Sequence, residues 1–150
     1  MLVGDDRRIT IVNETFEYRD LLTFKAGCDC YVSLHRSEGW GFGMIESMAL
    51  GVPVIATGYS GNLEFCNDKN SWLVESDEVF VGKKDYIFVV PGQKWAEPRM
   101  ESAINAMREV YYDPKKRNSK SVSAKKYVHD NFSVDKIASR YSARINEILK

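Results

Sequence analysis

The chain has 150 residues, of which 44% are hydrophobic and 28% charged, a globular balance that excludes disordered and collagen-like classes. Its 21 Lys and Arg offset its 21 Asp and Glu, which argues against a dedicated nucleic-acid binder, whose affinity comes from neutralising phosphates. At this length roughly 68–70% of the unfolded surface can be buried, enough for a core without disulfide or metal staples.

The start, MLVGDDRR, carries charges too early for a signal peptide. Ile9–Val12 is a β-branched run and predicts a strand; Asn13–Glu17 is a polar connection. Tyr18–Gly27 predicts a helix with Gly27 as its stop. Cys30–Leu34 predicts a second strand and Arg36–Gly41 a glycine-rich loop. Phe42–Leu50 predicts a helix ended by Gly51. Pro53–Ala56 predicts a third strand with proline at its first residue, where it is tolerated. Thr57–Gly61 is a turn and Ser71–Val74 a fourth strand. Strands and helices thus alternate about every twenty residues, which means βαβ units, a parallel sheet and helices on both faces. Ligands of such sheets bind outside the carboxyl ends of the strands, here the loops after Val12, Leu34 and Ala56.

Further on, Tyr86–Val90 is an apolar run ended by Pro91-Gly92, and Trp95–Pro98 reads as a compact turn. Met100, Ala103, Ile104, Met107, Val110 and Tyr111 follow helical spacing. Asp113-Pro114 starts a new helix, with a capping residue before proline at the first helical position. Ser133 is suited to cap the last helix, which gathers Val134, Ile137, Ala138, Tyr141, Ile145 and Leu149 on one face. Residues 114–150 hold ten Lys and Arg against three Asp and Glu, a local charge of +7. A solvated helical face is the plain reading of that tail, and attraction to anionic lipid is the functional one. The longest apolar stretch, Met48–Ala56, is broken by Gly51 and Pro53, far from the roughly twenty residues of a spanning helix. The three cysteines, Cys28, Cys30 and Cys66, suggest a reducing compartment. They read as buried thiols; zinc binding at Cys28-x-Cys30 is the rarer alternative, because no second pair is in reach of the motif.

The segment from Ser33 to Thr57 carries the chemistry. Gly39, Gly41 and Gly43 alternate, but Glu46 breaks the dinucleotide fingerprint and no P-loop lysine follows. The helix that starts at Phe42 offers amides with no partner inside the helix, and its positive end favours a phosphate. Glu38 and Glu46 flank that anion site. Carboxylates beside a phosphate are costly unless they do something else, and accepting hydrogen bonds from vicinal hydroxyls is what they do well. A nucleoside diphosphate with ribose on one side and hexose on the other gives both glutamates a partner.

This block resembles the E-x(7)-E motif of retaining glycosyltransferases with the GT-B fold, the glycosyl transferases group 1 family. The stretch E-S-M-A-L-G-V-P-V-I-A-T from Glu46 to Thr57 matches the family's usual sequence almost word for word. The upstream stretch Gly27–Ser37 resembles the family's strand into the motif, and the Gly61-Asn62-Leu63-Glu64 loop and the Asp113-Pro114 and Phe132-Ser133 pairs resemble the family too. The resemblance implies an α/β fold: a Rossmann-like parallel sheet flanked by helices, the C-terminal half of a GT-B fold, with a helical C-terminal tail. It implies a nucleotide-sugar-binding domain over residues 1–112, truncated at its N-terminus, with C-terminal helices over 113–150 packing on it.

By the same resemblance Glu38 is the catalytic carboxylate that contacts the donor sugar, and Glu46 binds the nucleoside ribose. Gly41, Phe42, Gly43 and Met44 hold the donor diphosphate and sugar, Asn13 beside Glu14 reaches the base, and Asn62 lies in the donor loop. The implied reaction moves a hexose from a nucleotide-diphospho-sugar to a glycan or lipid-linked acceptor in surface polysaccharide synthesis. No cofactor and no metal are expected. The basic pair that neutralises the diphosphate in the family is not visible; Arg36 is a substitute or a structural ion-pair partner. The expected partners are the donor, a missing N-terminal acceptor-binding domain and an anionic membrane surface; nucleic acid is not among them. The expected location is the cytoplasm, peripheral to the inner face of the membrane, and the chain alone is expected to be an inactive fragment. A nucleotide-sugar epimerase-like domain and a non-catalytic interaction module of the same fold are the alternatives.

Overall fold

A computed structural model describes residues 6–150. The opening residues of the signal-peptide argument, 1–5, lie outside the described residues. The elements follow as α1 (Tyr18–Ala26), β1 (Tyr31–Ser33), α2 (Phe42–Leu50), β2 (Val54–Thr57), a 3₁₀ turn (Gly61–Glu64), β3 (Trp72–Val74), β4 (Ser76–Phe80), β5 (Lys94–Pro98), α3 (Met100–Tyr112), α4 (Pro114–Phe132) and α5 (Val134–Ile148).

β1, β2 and β3 form a parallel sheet in that order, with Val32 opposite Ile55 and Ala56 opposite Leu73. Every residue of β2 is buried, as an unbroken apolar run in the centre of a parallel sheet should be. Its side chains alternate between two cores. Val54 and Ala56 pack with Met44, Met48, Phe65, Ala124 and Val128 under α2 and α4. Ile55 packs with Trp72, Val74, Ala103, Ala106 and Val110 under α3. The result is the expected three-layer α/β arrangement, with both helix layers covering a short sheet.

Four expectations need correction. The strand at Ile9–Val12 is absent: this segment has no regular structure, and Ile11 is 73% exposed. Strand composition needs a neighbour to pair with, and among the described residues the outer edge of β1 pairs with none. The parallel sheet therefore has three strands. Trp95–Pro98 is not a turn but most of β5, which pairs antiparallel with β4, Trp95 opposite Val79 and Pro98 opposite Ser76. The Tyr86–Val90 run lies in the loop between these strands, and Ile87 and Phe88 are exposed.

The last two corrections concern the C-terminal helices. Asp113 caps α4 as expected, accepting the Lys116 N–H at 2.9 Å. Ser133 has the extended backbone of an N-cap but makes no side-chain cap bond. The apolar face of α5 is not buried: Val134, Tyr141, Ile145 and Leu149 are all exposed.

Candidate functional site

The loops after β1 and β2 meet at the carboxyl ends of their strands. The Gly61 N–H donates to the Glu38 carbonyl at 3.1 Å, and the Glu38 N–H donates to the Ser60 hydroxyl at 2.9 Å. The approach is so close that a Cβ on Gly61 would overlap the Gly39 carbonyl. His35 braces the same junction. Its Nε2 faces the Tyr59 carbonyl at 3.1 Å and Asn62 Oδ1 at 3.2 Å, both acceptors, so the proton sits on Nε2. Its Nδ1 then accepts from the Ser33 hydroxyl at 3.2 Å. His35 is thus a satisfied structural histidine. Trp40 anchors the other side of the loop, its ring 5.3 Å from Phe65 and 5.6 Å from Phe132.

This rigid loop delivers the amino end of α2. Gly41 is its N-cap and has a left-handed backbone, φ 96°, a conformation that L side chains rarely adopt. The Gly41 carbonyl takes the Met44 and Ile45 N–H groups at 3.0 and 3.1 Å. The N–H groups of Phe42 and Gly43 have no acceptor among the described residues. They form a two-donor end on a helix dipole, the arrangement that binds a phosphate oxygen.

The two glutamates stand in unlike surroundings. Glu38 is half-buried, and its side chain accepts only the Gly39 N–H, at 3.1 Å, among the described residues. Glu46 faces α1: Lys25 Nζ lies 2.5 Å from one carboxylate oxygen and the Tyr18 hydroxyl donates to the other at 3.0 Å. The Lys25 and Glu46 side chains are only 12% and 17% exposed. The carboxylate beside it holds the Tyr18 phenol above its ordinary pKa, first through the hydrogen bond and then through its charge. A carboxylate has about four lone-pair positions, so Glu46 keeps acceptor capacity on both oxygens.

A second wall rises opposite Glu38. The Ala96 N–H donates to the Arg36 carbonyl at 2.9 Å, which stitches β5 to the loop after β1. The Arg36 guanidinium pairs with Glu97 at 2.7 Å and lies 4.7 Å from the Trp95 ring centre. A cleft of about 470 Å³ separates this hairpin from the Glu38 loop.

The structure therefore sets Glu38, Gly41, Phe42 and Gly43 in and just before one helix end, with Glu46 one turn further along α2. Phe42 is exposed, and Gly43 fits against the Tyr31 ring, where a Cβ would collide with the hydroxyl. Met44 sits with its side chain in the core. Asn62 is fully buried and donates to the Thr57 carbonyl at 3.0 Å, so its side chain braces the loop from behind. Asn13 lies in the irregular segment before α1 and makes no hydrogen bond with the motif loop. Lys25 and Tyr18 escape sequence reasoning, because only packing of α1 on α2 brings them to Glu46. The cysteines differ as well: Cys66 is buried, Cys30 half-buried and Cys28 exposed. Among the described residues no group of three His, Cys, Asp or Glu side chains could hold a metal ion.

The family model for glycosyl transferases group 1 matches residues 8–87, a span that holds the Glu38–Glu46 helix end and all three parallel strands. The chain belongs to the glycosyl transferases group 1 family. Among solved structures, this glycosyltransferase domain is similar to sucrose-phosphate synthase from Thermosynechococcus elongatus. The TM-score is 0.73 and the identity 19%, over 99% of this chain and 31% of that one. The chain thus shares the fold of the matched part of that protein and spans about a third of its length. No curated protein matches its sequence.

Proposed function

We propose that the chain is the donor-binding domain of a retaining glycosyltransferase that moves a hexose from a nucleotide-diphospho-sugar to a glycan or lipid-linked acceptor. The observation that carries this reading is the pair of unpartnered N–H groups at Phe42 and Gly43, bracketed by Glu38 and Glu46. The diphosphate sits on the helix end, the sugar hydroxyls meet Glu38, and the ribose hydroxyls meet Glu46. Gly41 and the Met44 backbone shape that end, and Asn13 approaches the base. Lys25 and Tyr18 fix the Glu46 carboxylate and keep its acceptor positions aimed. No side chain here is assigned as a nucleophile; the domain contributes positioning and stabilisation of the departing diphosphate. The reaction needs no metal in this scheme and draws on an acceptor-binding domain outside these residues, in surface polysaccharide synthesis.

Glu46→Ala tests the ribose role. It should weaken nucleotide-sugar affinity about tenfold or more, the value of a charge-assisted hydrogen bond, and unchanged affinity overturns it. Product analysis separates transfer from epimerisation: a freed nucleoside diphosphate against an isomerised donor. One observation favours a non-catalytic module instead, namely that Lys25 already neutralises Glu46. Absence of binding to any nucleotide-sugar would decide for that module.

No helix is long and apolar enough to cross a membrane among the described residues. The bare apolar face of α5 and the +7 charge of residues 114–150 support a place in the cytoplasm, on the inner face of an anionic membrane. Co-sedimentation with anionic but not neutral vesicles is the expected result; equal binding to both refutes it.

A further inference from the structure

We propose that the cleft between the β4–β5 hairpin and the Glu38 loop is a hexose subsite, with Tyr86 and Trp95 as its aromatic wall. The inference rests on the donor-binding reading above and adds which part of the molecule tells one sugar from another. A pyranose has two unlike surfaces, a rim of hydroxyls and ring faces made of C–H bonds. The rim suits carboxylates and cations, and the faces suit aromatic rings. The cleft offers both: Glu38, Arg36 and Lys94 on one hand, Tyr86 and Trp95 on the other, in a volume of about 470 Å³, within the range of small-molecule sites.

The wall is prepared in advance. Trp95 is clamped by the Arg36 guanidinium at 4.7 Å, and Arg36 is held in turn by Glu97 at 2.7 Å. The Ala96 N–H bond to the Arg36 carbonyl fixes the backbone between them. A ring already ordered loses little freedom when a ligand stacks on it. Lys94 is steadied by Glu78 at 3.3 Å. Tyr86 is different: it stands on the hairpin loop with 57% of its surface exposed and lines the cleft. Glu38, on the opposite wall, has acceptor capacity left over after its single internal bond.

The cleft straddles the end of the family match. The match runs to residue 87, so Lys94 and Trp95 fall beyond it and Tyr86 stands at its limit. The helix end that would hold the diphosphate lies inside the match, as does Tyr86, while Trp95 lies outside it.

The hexose has two possible sources, the sugar of the donor or the terminal sugar of the acceptor. Amide and indole N–H signals of the chain, titrated by NMR, separate them. The probes are UDP-, GDP- and dTDP-hexoses, the matching nucleoside diphosphates without sugar, and methyl hexosides. Trp95→Phe assigns the Trp95 indole signal. A Trp95 shift with a nucleotide-hexose but not with its bare diphosphate supports the subsite and names the donor sugar. A Trp95 shift with a methyl hexoside alone supports it and names the acceptor sugar. Tyr86→Ala, at an exposed position that cannot endanger the core, should weaken the sugar-dependent shift about fivefold, the scale of one aromatic contact. The Phe42 and Gly43 amides should answer the bare diphosphate equally in both forms. Shifts at Phe42 and Gly43 with a silent Trp95, or an unaltered response in Tyr86→Ala, overturn the subsite and leave the donor reading intact. Silence at all of these signals overturns both.

Discussion

Glu38 and Glu46 are the same side chain, eight positions apart on one loop-and-helix segment, and the fold treats them oppositely. Glu46 is closed in: Lys25 and Tyr18 cover both oxygens, and the pair is mostly out of water. Glu38 is left open on a cleft with one weak internal donor. A carboxylate closed in by protein must be compensated by the protein itself, whereas one that faces a cleft can wait for a ligand. One glutamate has therefore become part of the architecture as well as of the site, and the other belongs to the site alone.

The largest effect should come from breaking the closed side. Lys25→Met leaves Glu46 half-buried without its cation and should cost about 3 kcal/mol in urea unfolding, the usual penalty for removing one partner of a buried pair. A loss below about 1 kcal/mol would mean that water reaches the pair freely. Next comes the junction beneath the open side. Gly61→Ala places a methyl on the Gly39 carbonyl and should cost about 2 kcal/mol, because backbone must move to make room. It should also shift the Phe42 and Gly43 amide signals.

The thiols sharpen the same contrast between closed floor and open rim. Burial raises the Cys66 thiol from near 9 to about 11, and does the same to Cys30. The folded state therefore holds these protons more tightly than the unfolded chain. Their contribution to stability is whole below pH 9 and is lost as the pH climbs from 9 to about 11. Alkylation at pH 8 should label the exposed Cys28 rapidly and Cys66 only on unfolding, read by peptide mass analysis. The smallest effect on stability belongs to Glu38→Gln, within about 0.5 kcal/mol of the parent. If Glu38 does wait for a sugar, that variant should lose affinity for nucleotide-hexoses while keeping its grip on the bare diphosphate. Equal loss for both would move Glu38 from the sugar to the phosphate.

The central part of this fold is legible in the sequence because its pattern is local. Val54–Thr57 is an unbroken buried run, Phe42–Leu50 ends at a glycine, and Asp113-Pro114 marks the start of a helix; each is decided by neighbours within a few residues. The hairpin is not legible for the opposite reason. Ser76–Phe80 and Lys94–Pro98 are charged, half-exposed and joined by thirteen residues, so no apolar alternation announces them and only their pairing makes them strands. Ile9–Val12 fails in the reverse sense, with strand composition but no partner. At the site, the motif reveals Glu38, Gly41 and Glu46, whereas Lys25 reaches Glu46 across twenty-one positions through helix packing. Asn62 carries a polar side chain that sequence cannot distinguish from a ligand contact until its burial is known.

The hairpin enters and leaves the fold at a single point. The Arg99 N–H donates to the Glu75 carbonyl at 2.8 Å, and the Arg99 guanidinium clamps both Glu75 and Asp77. Residues 76–98 thus form a cassette closed at its base, hung between β3 and α3 without interrupting either. Lengthening or shortening its loop changes the closure entropy by only about 0.6 kcal/mol per doubling. A change of length at the tip of that cassette therefore leaves the parallel sheet, the helix end and both glutamates in place.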